Sequence, residues 1–278
     1  MESHGENPNK KVFAIIPARY SSTRLPGKML LPIAGKPLIV HTAEKAREAA
    51  SVDEVIVATD DERILEAVTA CGFSGRMTSP ELASGSDRVA AVARELPKGS
   101  VIVNLQGDEP IISPATIDLA VNAILENHSD SGPDIVTTFE PIESVEELEN
   151  PNIVKVVTNA KGRALYFSRS PMPFPREASL RYGGPQEAIR KEPELLRHHK
   201  KHTGLYVYRR EYLLEYTTLP QTELEKLEML EQLRALENGA YIRVVEAAGR
   251  SIGVDAQEDL ELVRAIFAAE ETAREIVA

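Results

Sequence analysis

Residues 12–28, VFAIIPARYSSTRLPGK, decide the fold. Residues 12–16 form an unbroken apolar run, which is typical of a strand that is buried on both faces. Arg19, Arg24 and Lys28 follow within ten residues, separated by hydroxyl side chains, and a helix pattern comes next. A strand that leads through a basic loop into a helix is typical of the first βα loop of a nucleotide-binding sheet.

The basic loop predicts a binding site for a polyphosphate. Neither GxxxxGK[ST] nor GxGxxG occurs here, so the three cationic side chains would have to do the work of a glycine-rich loop. A solvated surface loop is the alternative. The net charge of −11 gives this local basic cluster more weight as an anion site.

Composition excludes several classes of protein. The chain has 278 residues, 42% of them hydrophobic, which is enough for a sizeable core in one elaborated α/β domain. Its acidity argues against a nucleic-acid-binding protein, and no apolar run approaches the roughly 20 residues of a membrane span. Residues 1–11 are polar and are expected to be a flexible leader. Cys71 is the one cysteine, so we expect no internal disulfide, a core-packing role for Cys71, and a cytoplasmic location.

Strands and helices alternate through the first half of the chain. The predicted strands are residues 12–18, 54–60, 76–79, 101–105 and 134–139. The predicted helices are residues 36–50 (with Pro37 near the first turn), 61–70, 87–96 and 114–126. This alternation predicts an α/β fold of the Rossmann-like type, with a mainly parallel central sheet and helices on both faces.

Polar side chains follow three of the predicted strands. They are Arg19 and the residues after it, Thr59-Asp60, and Gln106-Gly107-Asp108. Because sites in such sheets lie outside the carboxyl ends of the strands, we expect these side chains to converge on one crevice.

The second half departs from this alternation. Residues 154–159 and 163–168 predict a hairpin, and the prolines and glycines of residues 171–201 predict loops. Further strands (202–209 and 241–247) and helices (223–237 and 258–273) complete the chain. We see no linker between two folds, and therefore expect one domain over residues 1–278, with a smaller lobe inserted at about residues 150–210.

Two aspartates are candidates for a divalent metal site. Asp108 lies on a glycine-containing turn after a buried strand, and Asp255 follows Gly253-Val254. Carboxylate oxygens are ligands that Mg²⁺ prefers. Each aspartate has a structural alternative, since Asp108 suits a turn and Asp255 with Glu258 matches a D-x-x-E capping box.

The sequence SGSDR, residues 84–88, precedes a predicted helix. Its glycine and hydroxyl groups would allow a nucleotide base to approach closely. The alternative is that Ser86 simply caps the helix.

Glu231 is predicted to be a buried carboxylate. In a continuous helix over residues 223–237 it would share a face with Leu224 and Leu227. A carboxylate that faces a core needs a partner or a ligand, and Gln232 beside it adds a donor and an acceptor. A salt-bridged structural glutamate is the alternative.

Nine segments resemble the 3-deoxy-manno-octulosonate cytidylyltransferase (CMP-Kdo synthetase) family. They are IIPARYSSTRLPGK (15–28), GKPLIVH (35–41), VATDD (57–61), SGSDR (84–88), VNLQGDEP (103–110), YFSR (166–169), HTGLYVYR (202–209), EMLEQLR (228–234) and GVDAQEDLE (253–261). The first segment also occurs in other sugar-nucleotide synthases. All nine segments, in the same order over residues 12 to about 263, make the resemblance specific to this family.

The resemblance implies a nucleotidyltransferase fold and a particular reaction. CMP would pass from CTP to the anomeric hydroxyl of 3-deoxy-manno-octulosonate (Kdo), giving CMP-Kdo and pyrophosphate for lipopolysaccharide synthesis. It also implies Mg²⁺ as cofactor and a homodimer formed through the second-half lobe.

The resemblance implies a role for each site residue as well. The residues that would bind the triphosphate and cytidine are Arg19, Arg24, Lys28, Ser84, Gly85 and Arg88. The residues that would line the Kdo pocket are Gln106, Arg169, His202, Tyr206, Glu231 and Gln232. Asp108 and Asp255 would hold the metal and, with Lys28, form the catalytic set. Arg169 would face the carboxylate of the sugar.

Two departures from the family pattern bear on these roles. Ala256-Gln257 stands where the family has Thr-Pro, so Asp255 could be required both to cap a helix and to coordinate metal. The segment 176–201 is longer than expected and ends in the basic run 197–201. It is interpreted as a solvated insertion or as a contact for an acidic partner or a second subunit.

Two rival functions are left open. One is a related synthase that acts on another acid sugar, such as an amino-substituted Kdo or a sialic acid. The other is a non-catalytic paralogue that binds nucleotide, against which the presence of Lys28, Asp108 and Asp255 together argues.

Overall fold

The computed structural model describes residues 10–21, 25–126 and 132–277. Its strands are β1 (Val12–Ala18), β2 (Pro32–Ile33), β3 (Lys36–Pro37), β4 (Glu54–Thr59), β5 (Ser74–Met77), β6 (Val101–Asn104), β7 (Ile135–Pro141), β8 (Lys155–Thr158), β9 (Ala164–Ser168), β10 (Lys200–Arg209) and β11 (Ile242–Glu246). Its helices are α1 (Leu38–Glu48), α2 (Glu62–Ala70), α3 (Gly85–Ala93), α4 (Pro114–Leu125), α5 (Val145–Glu149), α6 (Arg176–Tyr182), α7 (Pro185–Lys191), α8 (Arg210–Tyr216), α9 (Glu223–Glu228), α10 (Glu231–Glu237) and α11 (Gln257–Val277). Residues Lys28–Leu30 and Pro193–His198 form 3₁₀ turns.

The main sheet has the order β11-β7-β10-β6-β1-β4-β5, with β8 paired to β10 and β9 to β8. Strands β6, β1, β4 and β5 run parallel to one another, and β11 runs parallel to β7. Strand β10 is antiparallel to both of its neighbours in this order, β6 and β7. The mainly parallel sheet predicted from the sequence is therefore confirmed, as is the β8–β9 hairpin.

Strand β1 shows why helices cover both faces of the sheet. All seven of its residues are buried. Ala14 and Ile16 join the core that includes residues of α1 and α4, whereas Phe13 and Ile15 join the core that includes residues of α3 and α8. An apolar residue at every position is what a strand between two helical layers requires.

Helix α1 starts two residues later than predicted. Lys36 and Pro37 pair with β2 as strand β3, and Pro37 has an extended backbone with ψ of 144°. Pro37 is therefore the N-cap of α1, next to the first turn as predicted, and the helix itself begins at Leu38.

The predicted helix over residues 223–237 is two helices. Met229 interrupts it with a left-handed φ of 53°, so α10 starts at Glu231 and Leu227 is 81% exposed. Contacts from another segment hold this break, since Ser168 Oγ and the Arg169 backbone N–H donate to the Glu228 carboxylate at 2.6 and 3.0 Å. The face shared by Glu231 and Leu227 was thus predicted wrongly.

The segment predicted to be loops contains α6, α7 and a 3₁₀ turn. The basic run 197–201 at the end of this segment is only partly solvated. His199 is buried, Lys200 Nζ donates to Thr158 Oγ1 at 2.7 Å, and Lys201 Nζ lies 2.8 Å from Glu140 Oε2. Arg197 and His198 are exposed.

Cys71 is exposed at the C-cap of α2, so its predicted core role was wrong. The helical spacing that suggested burial ends one residue earlier, at Ala70. Among the helices of the described ranges, none combines the length and the apolar character of a membrane span.

Candidate active site

Lys28, in the loop after β1, contacts two carboxylates. One is Asp108, in the turn after β6, and the other is Asp255, in the segment before α11. Its Nζ lies 2.6 Å from Asp108 Oδ2 and 3.2 Å from Asp255 Oδ1. Lys28 is 6% exposed and follows Gly27, whose φ of 66° turns the chain into the 3₁₀ turn. Two carboxylates and a nearly buried ammonium thus share one small region, which brings together all three residues of the predicted catalytic set.

Gly107 allows the turn that presents Asp108. A Cβ atom at this position would lie 2.9 Å from Ile39 Cδ1 and 3.1 Å from the carbonyl oxygen of Pro17. A backbone carbonyl yields less readily than a side chain, so a larger residue here would push the turn away from β1. The Gly107 carbonyl also accepts a hydrogen bond of 2.9 Å from Thr42 Oγ1, which fixes the turn against α1.

Asp259 holds the backbone at the start of α11. The backbone N–H groups of Asp255 and Ala256 donate to Asp259 Oδ2 at 2.9 and 2.8 Å. The structural alternative for Asp255 was a capping box in which Glu258 is the acceptor. The acceptor is Asp259 instead, so that pairing was wrong. Ala256, where the family has threonine, is therefore accommodated while Asp255 Oδ1 contacts Lys28.

Ser84, and not Ser86, caps helix α3. Ser84 Oγ accepts from the Asp87 backbone N–H at 3.1 Å, and the Ser84 N–H donates to Asp87 Oδ2 at 3.0 Å. This reciprocal pair is a capping box. The alternative that assigned the cap to Ser86 was wrong, and the Ser86 side chain is directed elsewhere.

The predicted arginines differ in their surroundings. Arg88 is fully buried, and it pairs with Asp60 Oδ2 at 2.6 Å and with the Thr78 hydroxyl. Burial lowers the pKa of Arg88, and Asp60 opposes this shift. Arg19 donates to the carbonyl of Leu82. Arg24 lies outside the described residues.

A cavity of about 190 Å³ opens beside this region. The predicted residues that line it are Gly85, Gln106, Tyr206, Glu231 and Gln232. The other lining residues are Ser86, Asn104, Tyr208, Tyr216, Met229 and Leu230. The cavity thus brings together the start of α3, the end of β6, strand β10 and the α9–α10 turn, which are far apart in sequence.

Glu231 is the carboxylate of this cavity. Ser86 Oγ donates to Glu231 Oε2 at 2.8 Å, and Tyr216 Oη donates to the Glu231 carbonyl at 2.8 Å. Burial raises the pKa of Glu231, while the Ser86 hydrogen bond and Arg234 oppose the shift. A half-buried carboxylate with one hydroxyl donor retains capacity for a ligand donor.

Two aromatic rings, those of Tyr206 and Tyr208, form part of the cavity wall, whereas His202 is not among the described residues that line the cavity and contacts Tyr206. Tyr206 and Tyr208 stack with centroids 5.9 Å apart, and His202 lies 5.4 Å from Tyr206. Burial raises the pKa of both tyrosines well above 10 and lowers that of His202 to about 3. His202 Nε2 is 2.9 Å from Thr137 Oγ1. All three side chains are therefore neutral at physiological pH.

Arg169 is not among the described residues that line the cavity. Its guanidinium donates to the carbonyls of Glu228 at 2.8 Å, Pro151 at 2.9 Å and Met229 at 3.4 Å. Arg169 therefore supports the α9–α10 turn, which in turn places Glu231.

Four residues of the cavity were not predicted from the sequence: Ser86, as a partner of Glu231, and Asn104, Tyr208 and Tyr216, as lining residues. A signal existed for two of them. Tyr208 follows Tyr206 at the two-residue period of a strand face, and Asn104 is the polar end of the otherwise apolar strand V-I-V-N. Tyr216 comes from a separate helix, and the local pattern gives no sign of its contact.

Comparison with known proteins defines the class of protein. Residues 13–246 match the family model described as cytidylyltransferase. The chain is 50% identical over 254 residues to the 3-deoxy-manno-octulosonate cytidylyltransferase of Geobacter sulfurreducens, covering 91% of this chain and 97% of the relative. With that of Solibacter usitatus it shares 47% identity over 262 residues, covering 94% and 96%. The chain therefore belongs to the 3-deoxy-manno-octulosonate cytidylyltransferase family and is a nucleotidyltransferase.

Solved structures agree with this assignment. A CMP:2-keto-3-deoxy-manno-octonic acid synthetase complexed with CTP is similar, with a TM-score of 0.82, 41% identity, and coverage of 94% of this chain and 99% of the other. A nucleotidyl transferase from Methanothermobacter thermautotroptrophicus has a TM-score of 0.57 and 19% identity, covering 94% of this chain and 100% of the other. This second likeness shows the nucleotidyltransferase fold alone.

Proposed function

We propose that this chain transfers CMP from CTP to the anomeric hydroxyl of Kdo, releasing pyrophosphate. The observation that carries the proposal is the arrangement of two neighbouring regions. The Lys28–Asp108–Asp255 cluster is charged, whereas the adjacent cavity is lined by amides, tyrosines and one carboxylate. With a divalent cation held by its two aspartates, the cluster suits a triphosphate, and the cavity suits a polyhydroxylated sugar. The names of the relatives support this pairing.

The chemistry requires positioning and charge neutralisation. The hydroxyl oxygen of the sugar bonds to the α-phosphorus and loses its proton to solvent. The bond from the α-phosphorus to the oxygen that bridges it to the β-phosphate breaks, and pyrophosphate leaves with the bonding electrons. Such transfers depend mainly on holding the reactants in line and on stabilising the phosphate charge. We assign the charge stabilisation to Lys28, Arg19 and Arg24, and the surroundings of the cytidine to Ser84 and Gly85. Arg88 fixes the adjoining loop through Asp60 and Thr78.

Asp108 and Asp255 fit a Mg²⁺ ion. Both carboxylates contact the same cationic atom, Lys28 Nζ, so oxygen donors from two segments already face one point. Within the described ranges no third His, Cys, Asp or Glu joins such a group, which is in keeping with Mg²⁺ sites that use one or two carboxylates plus substrate phosphates. Bound there, the ion would neutralise phosphate charge and lower the pKa of the attacking hydroxyl.

The sugar is assigned to the cavity. Glu231 would accept hydrogen bonds from its hydroxyl groups, and Gln106, Gln232 and Tyr206 would complete the polar wall. His202 is neutral, so it acts through hydrogen bonding and does not supply positive charge. Arg169 stays a prediction as partner of the sugar carboxylate, and the contacts of its guanidinium give it a second role in holding the turn before Glu231.

Pyrophosphate release from CTP, measured with a panel of acid sugars in the presence of Mg²⁺, tests the proposal. We expect Kdo to give the highest kcat/KM. A higher value with an amino-substituted Kdo or a sialic acid would assign a different substrate, and silence with every sugar would favour the nucleotide-binding paralogue.

Three further expectations stay predictions. They are the single domain over residues 1–278, the homodimer through residues 150–210, and the cytoplasmic location. Light scattering on the purified chain measures the mass in solution, and twice the mass of one chain is the expected result.

A further inference from the structure

Asn104 is a polar residue in an apolar layer of the sheet. It is the last residue of β6 and is paired with Ile15 of β1 on one side and Tyr206 of β10 on the other. Ile15 and, two residues before Asn104, Ile102 belong to the core on this face. The pleat of the strand therefore puts an amide where the neighbouring positions carry apolar or aromatic side chains.

Among the described residues, none forms a hydrogen bond with the amide oxygen of Asn104. Asn104 is 2% exposed, and no hydrogen-bond partner for its Oδ1 occurs in the described part of the chain. Two hydroxyl groups of the same cavity are already used, since Ser86 Oγ and Tyr216 Oη donate to Glu231. Buried acceptors are nearly always satisfied in proteins because an unsatisfied one is destabilising.

The cavity is the natural source of a donor for this acceptor. Asn104 lines it together with Gln106, Tyr206 and Glu231. Carboxylate and phosphate oxygens carry no hydrogen at neutral pH and cannot donate to Asn104 Oδ1. The hydroxyl groups of a sugar can.

We propose that Asn104 Oδ1 is a specificity-determining acceptor that takes a hydrogen bond from one hydroxyl group of the acid sugar. The inference rests on the proposed function, because the sugar is the substrate assigned to this cavity. Because the sheet fixes the position of this acceptor, it can bond only a hydroxyl group at one position of the sugar. Asn104 thus selects among acid sugars that all carry the same carboxylate.

The test is a double-mutant cycle between the protein and the sugar. Asn104→Leu is compared with the wild type on Kdo and on its mono-deoxy analogues, each lacking one hydroxyl. We expect one analogue to lose about 10- to 100-fold in kcat/KM with the wild type, since it leaves the acceptor unsatisfied. With Asn104→Leu that same deletion costs nothing further, because the partner is already gone. KM for CTP is unchanged.

Asn122→Leu is the matched control, since Asn122 is exposed on α4. It should behave as the wild type with every analogue. Equal penalties for all analogues in the wild type and Asn104→Leu would overturn the proposal. So would a rise in KM for CTP that matches the rise for Kdo, because the donor would then be a group of CTP, either the cytosine amino group or a ribose hydroxyl.

Two further measurements separate a loss of folding, or a wrong substrate, from a loss of the Asn104 hydrogen bond. Leucine removes an unsatisfied buried amide, so ligand-free Asn104→Leu should melt at or above the wild-type temperature. If it unfolds, Asn104→Ala is carried through the same cycle. A wild-type enzyme that makes no product from Kdo would overturn the proposed function and this inference with it, whereas equal penalties in a working enzyme would overturn only the role of Asn104.

Discussion

The charged cluster and the cavity differ in the kind of side chain that would contact the substrate. The cluster joins Lys28 to Asp108 and Asp255 through two ion pairs, and the Asp255 side chain is 49% exposed. In the cavity, burial keeps the tyrosines neutral and raises the pKa of Glu231, and it also keeps His202, which contacts Tyr206, neutral. Ionic groups suit a triphosphate that needs its charge neutralised, whereas neutral donors and acceptors suit a polyol whose hydroxyl positions must be read.

The largest expected effect is at Asp108, in the charged cluster. Asp108→Asn keeps the shape but removes the charge, and we expect kcat to fall by about 10²- to 10³-fold, the effect of losing one charge-stabilising group. Steady-state kinetics over a Mg²⁺ titration should show the loss at every concentration. Glu66→Gln on the exposed side of α2 is the control. Wild-type turnover in Asp108→Asn would remove Asp108 from the catalytic set.

Glu231→Gln tests the cavity in the same way. The carboxylate accepts from Ser86 and faces the sugar site, so its loss should raise KM for Kdo by about 10- to 100-fold and leave KM for CTP nearly unchanged. Initial rates measured with one substrate varied and the other saturating separate the two constants. A rise in both would mean that the cluster and the cavity do not act separately.

Arg169→Ala tests the support of the turn. Three carbonyl groups lose their donor, and we expect a loss of about 1–3 kcal/mol in the free energy of unfolding as well as a higher KM for Kdo. Denaturant unfolding and kinetics measure the two effects. Arg176→Ala, on the exposed start of α6, is the control. Unchanged stability with a raised KM would assign Arg169 to the sugar alone.

His202 gives the smallest expected effect near neutral pH, because its contribution appears only in the acid range of the stability profile. Its pKa in the folded chain is about 3, below the usual 6.5, so the unfolded chain binds more protons between these values. The free energy of unfolding should therefore fall as the pH drops from about 6.5 toward 3, with a contribution of up to about 1.4 kcal/mol per pH unit. His202→Asn should have a shallower acid slope than the wild type, whereas His198→Asn, at an exposed position, should keep it. Parallel slopes for His202→Asn and the wild type would contradict the neutral imidazole.

The sequence predicted the charged cluster better than the cavity, for a physical reason. Lys28 and Asp108 follow neighbouring parallel strands, and the carboxyl ends of such strands meet at one edge. Asp255 was identified through the family resemblance together with its glycine-containing turn. For these residues a local pattern and a rule of topology are enough.

The cavity depends on contacts that no local pattern reveals. The break at Met229 is held by Ser168 and Arg169 from a separate hairpin, so helical periodicity over residues 223–237 was misleading. The burial of Glu231 was expected for the wrong geometric reason. The unsatisfied oxygen of Asn104 is likewise a tertiary property, because it depends on which neighbouring donors are already used.

Identification of the product tests the central claim most directly. Phosphorus NMR of a reaction containing CTP, Kdo, Mg²⁺ and the purified chain should show a phosphodiester between CMP and Kdo, formed in equal amount to pyrophosphate. CTP that stays unchanged, or a phosphodiester that forms only with a different acid sugar, would contradict the assignment of the charged cluster to CTP and the cavity to Kdo.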